Sequence, residues 1–165
     1  IRTALTGHLV FSTLHTNDAP SGITRLVDMG LEPYLVASSV QAFIAQRLVR
    51  TICPDCKTKV PLKEVMKDKA PTRETIETIE KPEFIFKGKG CESCKFTGYR
   101  GRIAIYEILL INEAIRQLII DKASSTQIKK KAVEAGMRTL LQEGWAKIAA
   151  GLTTPEEVMR VTELG

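Results

Sequence analysis

Histidine is nearly absent from this chain, with His8 and His15 the only two among 165 residues. Aromatic residues amount to 5%, including a single tryptophan, so aromatic surface for stacking on bases is thin. No run of about 18 apolar residues occurs, which excludes a membrane-spanning helix. The opening Ile1-Arg2-Thr3-Ala4-Leu5 leads into Gly7 and His8 rather than an apolar stretch, so it does not read as a secretory signal. An initiator methionine is also missing, and a piece of a longer protein is expected on that ground. At 44% hydrophobic residues the chain has enough apolar side chains for a sizeable core, and global disorder is excluded.

What is there is unevenly distributed. Residues 1–46 carry two basic and three acidic side chains, residues 47–102 fourteen and eight, and residues 103–165 eight of each. The net charge of +5 therefore resides in the middle segment. Such an excess fits nucleic acid, anionic lipid or compensation of buried negative charge. The third option has a local cause. All four cysteines lie in this segment, as Cys53-Pro54-Asp55-Cys56 and Cys91-Glu92-Ser93-Cys94. A two-residue spacer lets both sulfurs of each knuckle turn toward one ion about 2.3 Å away, and two knuckles complete a tetrahedron. The 34 residues between them exceed the common zinc-ribbon spacing, so an excursion with helices in "LKEVMKDKA" and "RETIETIE" is expected. A lone C-x2-C also suits redox chemistry, and disulfides suit an oxidising compartment. Two paired units with no cysteine left over and no sign of secretion favour structural Zn²⁺ instead. Four thiolates and Zn²⁺ sum to −2, which brings the loaded chain to about +3.

Local patterning gives the elements. Leu9–Leu14 reads as a buried strand, closed by a cap at Asn17 or Asp18. A helix then runs to Gly30, and a shorter one starts at Glu32-Pro33. "AFIAQRLVRTI" and "GYRGRIAIYEILLI" are predicted strands that pair, with the cysteine segment inserted between them. From Asn112 onward four helices follow, ending with one that has Thr154 as N-cap and Pro155 in its first turn. Lys129-Lys130-Lys131 reads as a solvated face, and Trp145 as core. The histidines at the two ends of an apolar run fit either an incidental packing arrangement or proton and phosphate work at strand ends.

In order along the chain, "TGHLVFSTLHTNDA", "RLVDMGLEP", "QRLVRTICPDC", the second C-x2-C with "GYRGRIAIYEIL", and "GMRTLLQEGWAKIAAGLTTPEEVMRVT" resemble successive stretches of the type II secretion and type IV pilus assembly ATPases, the GspE/PilB class. The resemblance covers nearly the whole chain. It implies an α/β fold: the C-terminal part of a RecA-like ATPase domain with an inserted tetracysteine zinc module and a C-terminal helical subdomain. The corresponding partition is 1–52 for the ATPase core portion, 53–102 for the zinc insertion, and 103–165 for the last core strand and helices. It further implies a homo-hexameric, bacterial cytoplasmic motor, peripheral at the inner membrane and working with platform and adaptor proteins.

By the same resemblance, "TGHLVFSTLHTND" is a histidine box facing ATP. His8 and His15 are then catalytic-site sensors, with Thr13, Thr16 and, less directly, Arg47 in the nucleotide's neighbourhood. Cys53, Cys56, Cys91 and Cys94 are the metal ligands. No G-x-x-x-x-G-K-[ST] occurs, since Glu83 stands where Gly88-Lys89 would need a glycine. ATP and Mg²⁺ are accordingly expected to bind in the intact protein, with this chain alone inactive. The alternative is a zinc-ribbon nucleic-acid-binding module. Thin aromatic interleaving, limited to Phe84, Phe86, Phe96 and Tyr99 around the knuckles, argues against it, and no specific nucleic acid is expected.

Overall fold

The structure is a computed structural model that describes residues 1–65 and 82–162. In chain order its elements are α1 (Arg2–Leu5), α2 (Ala19–Asp28), α3 (Pro33–Ser39), β1 (Ala42–Ile52), β2 (Lys57–Pro61), α4 (Leu62–Val65), β3 (Phe84–Gly88), β4 (Tyr99–Leu110), α5 (Glu113–Ile120), α6 (Ser125–Glu134), α7 (Leu140–Ala149) and α8 (Pro155–Thr162). β1 and β4 pair in one sheet, and β2 pairs antiparallel with β3 in another. The expected strands at 42–52 and 99–110 are therefore present and joined. The "LKEVMKDKA" helix is present as α4 over its first four residues; the remainder, and all of "RETIETIE", lie outside the described residues.

Residues divide into two compact units. The first comprises Ile1–Ala45 and Tyr106–Thr139, the second Gln46–Ile105 and Leu140–Leu164. In the first, α2, α3, α5 and α6 pack around Ile23, Val36, Ile115, Ile119 and Ile128. The caps are those the sequence implies. The Asp18 carboxylate accepts the Ser21 N–H at 2.9 Å, the Asn112 side chain accepts the Ile115 N–H, and Ser124 and Gln127 form a reciprocal capping box. Gly30 at φ +87° ends the turn after α2 in the left-handed region, where a side chain is strained.

The second unit sets the β2–β3 pair and the knuckles against α7 and α8. Its core holds Val49, Ile52, Ile85, Ile105, Trp145, Ile148 and Val158. Gly144 of α7 faces Val158 of α8 so closely that a Cβ there would overlap the valine methyl. Gly88 and Gly98 approach backbone to backbone in the same way, which brings the end of β3 against the turn that follows the second knuckle.

One expectation is corrected. Residues 8–16 carry no regular secondary structure, and Leu9 and Phe11 are 81% and 88% exposed rather than buried. A strand exists only when a neighbour satisfies its N–H and C=O groups, and no described strand lies beside this segment. Its β-branched and aromatic composition alone does not make a ladder.

Candidate metal centre and histidine segment

Two short 3₁₀ turns, Pro54–Cys56 and Glu92–Cys94, curl each knuckle so that its sulfurs point inward. All four Sγ atoms lie within 4.8 Å of one another. Cys53 and Cys91 are 3.9 Å apart, Cys56 and Cys94 3.9 Å, and Cys91 and Cys94 3.8 Å. A tetrahedron with metal–sulfur bonds of about 2.3 Å has edges of about 3.8 Å, so the donor set fits a single four-coordinate ion. Cys53 and Cys94 are buried, Cys56 and Cys91 half-buried.

Backbone N–H groups support the sulfurs from outside. Gly90 donates to Cys56 Sγ at 3.3 Å, Cys91 to Cys94 Sγ at 3.2 Å, and Gly98 to Cys94 Sγ at 3.3 Å. Such donors orient thiolate ligands and moderate their charge. Burial and the adjoining thiols push Cys56 up to about 11. Burial also opposes ionisation of Cys94, but the N–H groups of Cys91 and Gly98 outweigh it and lower that thiol to about 6. The four cysteines are thus positioned to bind a metal ion.

The histidine segment is open. His8 and His15 are both exposed, and His8 Nδ1 lies 2.9 Å from the Thr6 hydroxyl. His15 and Thr16 share a polar recess of about 260 Å³ with Asn17, Ser21, Thr24, Arg25 and Asp28. His8 and Thr13 are not among its lining. Arg47 lies on β1 in the second unit and donates to the Gln46 carbonyl at 3.1 Å. Lys129 pairs with Asp18 at 3.0 Å and Lys131 with Glu134 at 3.4 Å, so two of the three consecutive lysines have carboxylate partners.

Two buried carboxylates carry roles that composition did not single out. Glu107 accepts the Ala19 N–H at 2.9 Å, placing negative charge at the N-terminus of α2. Glu107 shares strand parity with the buried Ile105 and Leu109, and that alternation was the available signal. Glu157 accepts the Arg50 N–H at 2.9 Å, Arg50 Nη2 at 2.7 Å, Arg160 Nε at 3.2 Å and Arg160 Nη2 at 2.9 Å. Burial alone would raise its carboxyl, but the two guanidiniums prevail and hold it at about 2.

A profile of the family described as type II/IV secretion system protein matches residues 1–160. The type IV pilus assembly ATPase TfpB of Acinetobacter baylyi is 44% identical over 164 residues, covering 99% of this chain and 28% of the relative. The type II secretion system ATPase E of Vibrio cholerae is 42% identical over 163 residues, covering 99% and 31%. The type IV pilus assembly ATPase PilB of Thermus thermophilus is 44% identical over 160 residues, covering 96% and 18%. Among solved structures, the pilus retraction motor PilT with bound ADP superposes with a TM-score of 0.57 at 25% identity, over 97% of this chain and 35% of that one. The chain belongs to the type II/IV secretion system protein family, and it has a mixed α/β fold shared with a pilus ATPase. It spans less than a third of the length of these curated relatives.

Proposed function

We propose that this chain serves an ATPase motor that powers type II secretion or type IV pilus assembly. The observation that carries the reading is identity of 42–44% across 96–99% of the chain with relatives named as ATPases of those two systems. In this reading the intact protein is a homo-hexamer, cytoplasmic and peripheral at the inner membrane, engaged with platform and adaptor proteins. Exposed apolar side chains at Leu9, Phe11, Ile44, Ile108 and Leu110 support a role inside a larger assembly, since such surface is costly when left in water. Among the described residues no helix is long and apolar enough to cross a membrane.

The four cysteines hold Zn²⁺, whose preference for tetrahedral thiolate sites matches the sulfur geometry. With four sulfur ligands no position is left for water, so the ion is structural. His15 and Thr16 orient the terminal phosphate or an adjoining subunit from their recess, and His8 and Thr13 act from the same segment. Arg47 is a further candidate near the nucleotide. The main phosphate cradle and Mg²⁺ ligands come from other parts of the longer protein, because no P-loop motif is present in these 165 residues.

The test compares this chain with the longer protein that contains it. The chain alone is expected to hydrolyse no ATP. In the intact motor, His15→Ala should lower turnover by about one to three orders of magnitude, the scale for losing a transition-state donor or acid–base partner. ATP affinity should fall much less. ATPase activity from the chain alone would overturn the placing of the phosphate cradle elsewhere, a fully active His15→Ala motor would overturn the role of His15, and a longer protein without ATPase activity would overturn the motor reading.

A further inference from the structure

We infer that metal occupancy at the four cysteines is coupled to the docking of α8 through Arg50, Tyr99 and Glu157, so that loss of the ion releases the α7–α8 pair. The inference rests on the metal reading above.

The connection starts at the sulfurs. Gly98 donates its N–H to Cys94 Sγ at 3.3 Å and accepts the Cys53 N–H on its carbonyl at 2.9 Å. The two knuckles are therefore tied together at the residue just before Tyr99 and at the residue just after β1. From both ends short struts reach the C-terminal segment. The Ile52 N–H donates to the Leu152 carbonyl at 2.9 Å, and the Thr153 hydroxyl donates to the Arg50 carbonyl at 2.8 Å. Tyr99 and Thr154 share a hydroxyl hydrogen bond of 2.8 Å. The Arg50 guanidinium lies 4.2 Å from the centre of the Tyr99 ring while bonding Glu157.

The helix that follows these struts, and that Arg50 reaches directly at Glu157, cannot hold itself. α8 is eight residues long, below the length at which an isolated helix persists in water. Its buried face is Pro155, Glu157 and Val158, so a carboxylate sits among the packing residues. That carboxylate is tolerable only while Arg50 and Arg160 meet it. If Arg50 shifts with the end of β1, Glu157 must either remain buried with less compensation or leave with its helix, and hydration favours leaving. Without an ion the knuckles are held only by N–H···S bonds and weak sulfur–sulfur hydrogen bonds, which leaves Gly98 and Cys53 less firmly joined.

The experiment uses the chain's one tryptophan. Trp145 is 2% exposed on α7, next to Gly144 and its contact with Val158, and so reports on this pair. The chain is loaded with Co²⁺, whose thiolate absorption reports occupancy, and then stripped with a chelator. Amide exchange is followed in α8 and in α5 and α6, together with Trp145 emission. On stripping, α8 exchange should rise at least tenfold and Trp145 emission should shift to longer wavelength, while α5 and α6 stay protected. Glu157→Gln should speed α8 exchange with the metal still bound and, by reciprocity, weaken Co²⁺ binding. Conservative Arg50→Lys should give the same change in smaller measure.

Unchanged α8 exchange after the Co²⁺ absorption has vanished would overturn the coupling and leave the metal site intact. Equal loss of protection in α5 and α6 would overturn it as well, since that is general unfolding. Failure of the chain to bind Co²⁺ would overturn the metal reading and the coupling together.

Discussion

Asp18 joins two tasks in one side chain. One oxygen caps α2 through the Ser21 N–H, and the other meets Lys129 of α6 at 3.0 Å. Burial would raise its carboxyl above the usual range, yet the bonds from Ser21 and Lys129 prevail and hold it below the ordinary 3.8. A carboxyl lowered in the folded state adds stability above its unfolded value, and this is lost as pH falls through the folded value. Asp18→Asn separates the tasks, because asparagine still caps the helix but cannot pair with lysine. The variant should lose under about 1 kcal/mol near neutral pH, the range of a partly exposed ion pair. The deficit should disappear as the pH drops below the ordinary Asp value. Urea midpoints for both proteins, taken by helix circular dichroism from neutral to strongly acidic pH, check this. A deficit that persists in acid would place the loss in the cap instead.

At the scale of elements, α7 and α8 meet at a glycine for a steric reason. A Cβ at Gly144 would overlap a Val158 methyl, so the two helices pack closer than alanine allows. Helix propensity favours Gly144→Ala by about 1 kcal/mol, whereas overpacking a buried contact costs about 1–3 kcal/mol. The clash should dominate, giving a net loss of up to about 2 kcal/mol by urea denaturation followed at Trp145. Adding Val158→Ala to Gly144→Ala should restore part of that loss, and simple additivity of the two changes would show that the helices do not touch there. Sequence patterning reached most of these elements, because caps, prolines and apolar spacing are local properties. β1, β4, α2, α3 and α5 to α8 are all legible in that way. The β2–β3 pair was not, since "KTKVP" is only five residues long, offers Val60 as its one large apolar side chain, and pairs with a strand separated from it by 22 residues. Lys57 and Lys59 are accommodated by lying 4.3 Å from the ring centres of Phe86 and Phe84, a pairing made only across the sheet. The opposite error occurred at residues 9–14, where strand composition was present without a partner strand. The cysteine cluster was legible because its spacing specifies the chemistry. The Glu157 network was not, because Arg50 and Glu157 are 107 positions apart and neither has a local signature.

Across the whole molecule the formal charge of +5 invites a nucleic-acid reading, but several basic side chains among the described residues of the second unit already have partners. Lys57 and Lys59 lie over phenylalanine rings, Lys87 is 3.8 Å from Glu156, and Arg100 is 3.0 Å from Asp55. The loaded cysteine cluster adds −2 within the same unit. Phe84 and Phe86 each already have a lysine over the ring, so they offer less surface for stacking, which is worth about 1–3 kcal/mol per base elsewhere. On the motor reading proposed above, the expected interaction with nucleic acid is a diffuse electrostatic attraction. The metal-loaded chain should therefore bind labelled single-stranded or duplex DNA more weakly than about 1 µM at physiological salt, with the same affinity for unrelated sequences. Between roughly 50 and 200 mM salt the affinity should fall steeply, as expected when binding is driven by release of counterions. Fluorescence anisotropy over that range, with at least two unrelated sequences, measures both properties. Sub-micromolar binding that survives the higher salt and distinguishes the sequences would favour a nucleic-acid module over a motor component.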